Sequence, residues 1–404
     1  GGASGTMSPG GNPAASNPVT GSGWLGEQLG VNRNGWRFGG LNITDANGQF
    51  TGGLDPGKWT GDSLTLLDLS IDMDQFRGIE GGLFGIQLLA YGGGSVNQNA
   101  GAVLGYNALD VTVPPLTRTE LYQLWYRQEL FDNRLILRAG KLVPTIDFNN
   151  VIRPVRSSDP TYQIPAVTSV LFTPAYLSPT MLGIMPGYYN SSTGTVATAI
   201  PTENSYFQYG LFDGNLAAGR NTGQEGPHFN GYNLHLVETG AHWKIGSEKK
   251  PGQIGAGYWK QTGLLSAPGG YVRGAQGIYM FGSQQIYFER AGESNNGLVA
   301  WGQFAATDSP FIATHRYFGL GLTYFGPLPG RDNDSAGFGL AYGKMNTNPA
   351  ANLGKQELNL TWYYQCQVRP NCFIQPNMSY IASPAAQPGL KDVVALTLRA
   401  MVLF

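Results

Sequence analysis

Charge is scarce in this 404-residue sequence: Asp, Glu, Lys and Arg make up 13% of it, against roughly 25% in an ordinary soluble protein. Long apolar runs are missing as well. No stretch approaches the ~20 consecutive apolar residues of a membrane-crossing helix, which excludes helical spans. The 25 Lys and Arg offset the 26 Asp and Glu, so no global basic field exists to draw in nucleic acid. His occurs only at 228, 235, 242 and 315, without the spacing to Cys or paired acids that a metal site requires. No metal and no cofactor are expected. A barrel lipase would need Ser, His and a polar orienter brought together; no motif does so, and no catalytic residue is assigned.

The opening stretch, GGASGTMSPGGNPAASNPVTGSG, has no basic region followed by an apolar one, so an export signal is expected to be absent or already removed. Its Gly, Pro, Ser and Asn cannot bury enough apolar surface to offset the entropy of ordering. Residues 1–23 are therefore expected to form a flexible arm ahead of a single domain, 24–404.

What the sequence has in abundance is glycine, 59 residues, and aromatics, with 21 Tyr, 19 Phe and 8 Trp. These are arranged with a period of two. In DVVALTLRAMVLF, at 392–404, Val394, Leu396, Leu398, Ala400, Val402 and Phe404 share one face, with Thr397 and Arg399 on the other. In ELNLTWYYQC, Leu358, Leu360, Trp362 and Tyr364 alternate with Glu357, Asn359, Thr361, Tyr363 and Gln365. YFGLGLTYF sets Phe318, Leu320, Leu322 and Tyr324 against Gly319, Gly321 and Thr323, small residues that would leave space inside. In SLTLLDLSIDMD the apolar Leu67, Leu69, Ile71 and Met73 oppose Asp68 and Asp72, and in RLILRAG Arg134 and Arg138 oppose Leu135 and Leu137. Alternation of this kind suits strands with one face in lipid and one in water.

Pattern and turn chemistry predict strands near 35–45, 62–74, 80–91, 118–131, 133–143, 195–201, 205–212, 231–246, 253–262, 276–290, 296–306, 315–326, 334–344, 356–366, 372–381 and 392–404. That is about sixteen, an even number as in bacterial outer-membrane barrels. With Phe404 on the periplasmic side, the turns at DQFRG, FDN, TEN, GSEKKPG, GESNN, GPLPGRDN and VRPN are short and fall on that side. The opposite connections, 92–117, 144–194, 213–230 and 345–355, are longer, the asymmetry such barrels show. The expected fold is an all-β transmembrane antiparallel barrel. The first strand must then pair with the last, which removes both edges. A soluble β-sandwich shares the alternation, but would expose a large apolar surface.

Several residues stand out as candidates for function. Cys366 and Cys372 in CQVRPNC flank a turn and are a candidate disulfide in an oxidising compartment. Pro376 removes a ladder donor and marks a weak point in its strand. The longest connection, 144–194, mixes Pro, aromatics, Asp147, Arg153 and Arg156, and is too apolar to stay in water. It is expected to fold inward and narrow a pore. Asp68, Asp72, Arg127, Glu129, Arg138, Glu357 and Arg399 are expected to face the lumen. Charges and amides there can replace the water shell of a polar neutral solute, aromatic faces can stack on a sugar, and the mixed signs argue against an ion filter.

The segment ELNLTWYYQCQVRPNCFIQPNMSYIASPAAQPGLKDVVALTLRAMVLF resembles the end of the OprB-type carbohydrate-selective porins. NGQFTGG, LTLLDLSIDMDQFRGIEGGLFG, WYRQELFDNRLILRAGKL, DFNN, YFQYGLFDG and GPHFNGYNLHLVETG follow in the family's order, so that the likeness covers nearly everything after residue 24. It implies a sixteen-stranded outer-membrane channel, monomeric, for passive diffusion of glucose and similar small sugars, lying among outer-membrane lipid and lipopolysaccharide. It also implies insertion by the barrel-assembly machinery, which reads an aromatic end such as Phe404. Carried over by motif, it points to Glu129, Arg138, Asp147 and Glu238 as pore residues. The alternatives from the residues alone are a general or other-substrate porin, a barrel enzyme and a glycan-binding β protein.

Overall fold

The computed structural model describes residues 22–110, 117–149, 174–176, 179–187, 189–294 and 296–404. These form sixteen strands: β1 Trp36–Thr51, β2 Trp59–Asp72, β3 Gly82–Gly92, β4 Arg118–Leu130, β5 Leu135–Leu142, β6 Ser192–Thr202, β7 Ser205–Asp213 and β8 Asn233–Ile245. The second half holds β9 Lys250–Ala267, β10 Gly270–Phe288, β11 Gly297–Thr307, β12 Thr314–Phe325, β13 Ser335–Met345, β14 Gln356–Arg369, β15 Cys372–Ala382 and β16 Val393–Leu403. Each pairs antiparallel with its sequence neighbours, and β16 pairs with β1 from Leu41↔Leu403 to Thr51↔Val394, closing the barrel. Closure satisfies every ladder within the sheet, the condition for strands to cross lipid. Residues 1–21 of the expected arm lie outside the described residues, and among those described no helix is long and apolar enough to cross a membrane.

The alternation read from sequence is the wall itself. Phe318, Leu320, Leu322, Trp362, Leu396 and Leu398 are exposed on the outside, whereas Asn359, Thr361, Gln365, Thr397 and Arg399 are buried on the inside. Boundaries move where the period continued past a turn signal. β1 runs through Asn47-Gly48 to Thr51, because Asn47 and Gln49 are inward members of its ladder. β9 and β10 extend into what read as a loop at 263–275, pairing out to Ala267↔Gly270. Met73 leaves its strand for a short helical turn, Met73–Arg77, capped by the Asp72 carboxylate, which accepts from the backbone N–H of Asp74 at 3.0 Å and Gln75 at 3.3 Å. Arg134 likewise sits exposed in the β4–β5 turn, outside the lumen.

Pro376 interrupts the β14–β15 ladder as expected: pairing is continuous to Tyr363↔Asn377 and resumes at Cys366↔Ile374. The cysteines are both free. Cys366 lies opposite Ile374 and Cys372 opposite Arg369, so the two thiols are diagonal neighbours across the ladder, beyond the reach a disulfide allows.

The space left by inward glycines is filled. Gly255 lies directly across from Phe281, Gly257 from Tyr279, Gly277 from Trp259, Gly321 from Trp301 and Gly337 from Tyr363. At each one a β-carbon would overlap the facing ring. Rings laid over glycine cover the backbone and put apolar surface on the inner wall of β9–β14 among inward polar groups such as Gln253, Gln303 and Asn359, one use of the sequence's excess of both residue types. Against this surface packs the short turn at 179–187 with Tyr176, whose ring meets Trp301 edge-on at 5.2 Å. The barrel interior thus has a hydrophobic core of its own, with inward segments as the second layer.

Candidate functional site

Opposite these rings, the inner wall of β1 to β8 carries polar groups at one level, many of them linked to one another. Arg37 of β1 pairs with Asp68 of β2 at 3.1 Å. Asp68 lies across from Gln87 of β3, and Gln87 across from Gln123 of β4, which donates to the Gln87 carbonyl oxygen. Arg138 of β5 donates from Nη2 to Gln123 Oε1 at 3.1 Å and from Nη1 to both carboxylate oxygens of Asp147, at 2.9 and 3.1 Å. Its guanidinium stands 4.5 Å from the ring centre of Trp125, which lies over Gly85. Gln208 of β7 takes the arc onward, donating to the Asp147 carbonyl oxygen at 2.6 Å and to Glu238 of β8 at 3.0 Å. Glu238 also accepts from Tyr206 at 2.5 Å, from Tyr279 at 2.7 Å and from the Asn149 backbone at 2.7 Å. The start of the 144–194 connection is therefore bolted to the wall at Asp147 and Asn149.

A second inward segment, 93–110, is clamped by the wall of β14, β16, β1 and β2. Glu357, fully buried, accepts the backbone N–H groups of Val103, Leu104 and Ala385 at 2.8, 2.9 and 2.8 Å. Asn359 donates to the Gly105 carbonyl oxygen at 2.8 Å. Asn107 donates to both Asp45 and Asn47 at 2.8 Å, and Asp45 in turn holds Arg399. Asp62 accepts from the Gly94 N–H at 2.7 Å. Asp110 ends the segment; burial pushes its carboxyl up to about 6, and the N–H of Asn97 at 3.2 Å works against that.

The residues singled out from sequence divide accordingly. Asp68, Arg138, Asp147 and Glu238 belong to the arc. Arg127 and Glu129 form a 2.5 Å pair nearer the rim that holds Phe404, and keep part of their side-chain surface accessible. Glu357 and Arg399 are buried and hold the 93–110 segment. Asp72 caps a turn. Arg153 and Arg156 lie outside the described residues. Sequence reasoning passed over Arg37, Gln87, Gln123, Trp125, Gln208 and the 93–110 segment. The amides and Trp125 carried a signal, their inward place in the alternation. The segment's role had none, because partners such as Glu357 lie 254 positions away.

The arc alternates cation, carboxylate and amide: Arg37 answers Asp68 and Arg138 answers Asp147, while Glu238 accepts from Gln208, Tyr206, Tyr279 and the Asn149 backbone. Such a surface offers donors and acceptors of both signs at close spacing, which suits hydroxylated neutral solutes.

Comparison with known proteins gives concordant results. Residues 62–404 match the family described as carbohydrate-selective porin, OprB family. Porin B of Pseudomonas aeruginosa is 23% identical over 321 residues, covering 70% of this chain and 68% of that one. Among solved structures, the high-pH structure of Pseudomonas putida OprB superposes with a TM-score of 0.78 at 18% identity, covering 99% of each chain. The low-pH structure of the same protein gives 0.59 at 17% identity, over 95% of this chain and 97% of that one. DcaP, an outer-membrane channel of Acinetobacter baumannii, gives 0.52 at 8% identity, covering 91% of this chain and 97% of that one.

Proposed function

The chain belongs to the OprB family of carbohydrate-selective porins, and from that premise we propose that its arc of polar groups is the surface along which small sugars exchange water for protein as they cross. The protein is a sugar porin of the outer membrane, and its fold and family are those of a channel. The finer reading concerns solute and mechanism. Glucose-sized sugars pass down their gradient, their hydroxyls alternating between the Arg138–Asp147 pair, Asp68 and the carboxamides of Gln87 and Gln123. Trp125 keeps the Arg138 guanidinium in one plane, so its fork meets vicinal hydroxyls without loss of side-chain entropy. Binding must stay weak enough for release, and a surface already paired within itself fulfils this: a sugar replaces existing hydrogen bonds and does not satisfy orphaned charges.

The observation that carries this reading is Arg138, held by Asp147 on one side, Gln123 on another and Trp125 beneath. Inward segments at 93–110 and 144–149 narrow the passage to this wall. The barrel acts as a monomer, with lipopolysaccharide around its long-loop rim, and is inserted by the barrel-assembly machinery. Planar-bilayer recording tests the proposal: glucose is expected to block single-channel current in a concentration-dependent way. Stable conductance with no sugar-dependent block, together with liposome swelling that is equal for sugars, amino acids and dicarboxylates, would favour a general porin.

A further inference from the structure

The outer wall between β8 and β12 carries an apolar groove of about 460 Å³. Its floor is the outward row Gly282, Ala300 and Gly302, with Gly282 directly across the ladder from Gly302. Ile254, Met280, Phe304 and Phe318 form the walls, all exposed on the lipid side. One end lies between Phe304 and Phe318, midway along the strands. The other reaches Trp243, near the rim that holds the short turns, where the indole N–H donates to Gln284 Oε1 at 2.9 Å. Gln284 in turn donates to the carbonyl oxygens of Lys250 and Pro251, at 3.4 and 3.2 Å. Lys250 shares the outward parity of Ile254, and Lys249 is exposed in the adjoining turn. Both lysines follow the end of the groove at the rim, where Glu248 pairs with Lys250 at 2.8 Å on an accessible surface.

Depth and charge together specify an occupant. A groove open to the hydrocarbon core fills with an acyl chain, and the small-residue floor lets that chain touch protein on three sides where a convex wall would touch it on one. Trp243 lies where interfacial tryptophans mark the headgroup level. Lys249 and Lys250 stand at the same level, and their ammonium groups attract an anionic headgroup. We propose that this groove binds one anionic glycerophospholipid of the periplasmic leaflet. Its phosphate sits on Lys249 and Lys250, and one acyl chain lies along Gly282, Ala300 and Gly302. The proposal rests on the barrel's place in the membrane and is independent of which solute it conducts.

Gly302 permits a clean test. A β-carbon there meets nothing nearer than the Gly319 carbonyl oxygen at 3.7 Å, so Gly302→Leu fills the groove without disturbing the wall. Native mass spectrometry of the full chain in detergent, titrated separately with phosphatidylglycerol and phosphatidylcholine, reads the lipid retained. Heat-modifiable gel migration confirms folding, and Ala300→Leu on the same floor serves if Gly302→Leu does not fold. The wild type is expected to retain a single phosphatidylglycerol about tenfold more strongly than phosphatidylcholine. Gly302→Leu should lose both lipids, and Lys249→Asn with Lys250→Gln should lose only the preference. Equal retention by wild type and the filled-groove variant overturns the site, and equal retention of the two lipids by wild type overturns the headgroup assignment. A dimer in the wild type that Gly302→Leu dissolves would assign the groove to a second copy and also overturn the proposal.

Discussion

Arg399 on the last strand donates from Nε and Nη2 to the two carboxylate oxygens of Asp45 on the first, at 2.8 and 2.6 Å, with both side chains buried. The closing seam of the barrel is thus fastened from inside by a bidentate ion pair, and the same Asp45 receives the Asn107 amide of the inward segment.

Removing one member of that pair leaves the other charge buried. Asp45→Asn or Arg399→Gln alone is expected to destabilise the barrel by about 3–5 kcal/mol, read as a lower guanidinium midpoint in detergent. The double variant Asp45→Asn/Arg399→Gln should recover part of the loss; strictly additive losses would argue that the two residues act separately.

Glu357 holds three backbone N–H groups from two different connections. Glu357→Ala orphans them at roughly 1–3 kcal/mol per buried donor, enough to loosen the 93–110 segment. Single-channel recording should show larger or noisier conductance with the barrel still folded; an unchanged current trace would mean that the segment does not limit the passage.

Asp110 supplies a pH dependence. Burial raises its pKa from the ordinary carboxylate value of 3.8 to about 6, so between those limits the closed segment binds more protons than the released one. The contribution is fully present below about pH 4 and is lost as pH rises through about 6. Current fluctuations from segment opening should therefore increase over that window, and Asp110→Asn should flatten the response. Asp62, which faces the same segment through Gly94, remains in the variant.

Arg138 is expected to matter for sugar and not for stability alone. Arg138→Ala should weaken glucose block by about tenfold, the worth of one or two hydrogen bonds to a charged group. Arg138→Lys should restore little, because an ammonium has no planar fork. Trp125→Ala should show a smaller loss of the same kind. A block that is identical in all three would remove the arc from the proposed pathway.

Glycine–aromatic pairs should reveal themselves by compensation. Gly255→Val drives a side chain into the Phe281 ring and is expected to cost about 1–3 kcal/mol through overpacking. Gly255→Val/Phe281→Ala should be more stable than Gly255→Val alone. Denaturant midpoints of the three variants check this, and additivity would show that the ring is not what the glycine accommodates.

The wall was legible because its signal is local. Alternation with period two assigns each residue to lipid or lumen from its immediate neighbours, and short turns alternating with long connections fix which rim is which. That carried the strand number, the closing pair of first and last strands, and the inward placement of Asp68, Arg138, Glu357 and Arg399. It ran the strand past Asp72 to Met73, where capping of a helical turn competed with the strand, and it joined Cys366 to Cys372, whose two-residue offset is set by the register of the ladder.

What the sequence determined by itself is a barrel of sixteen strands with an apolar outside. The tertiary structure alone decided what fills it. Whether an inward glycine leaves a void or receives a ring depends on the residue across the ladder, as Gly255 and Phe281 show. Whether segment 93–110 enters the lumen depends on Glu357, 254 positions from Val103. Periodicity reports the face a side chain takes. It carries no information about contacts between distant segments, because those depend on register and closure, and closure brings residues 354 positions apart, Asp45 and Arg399, into one ion pair.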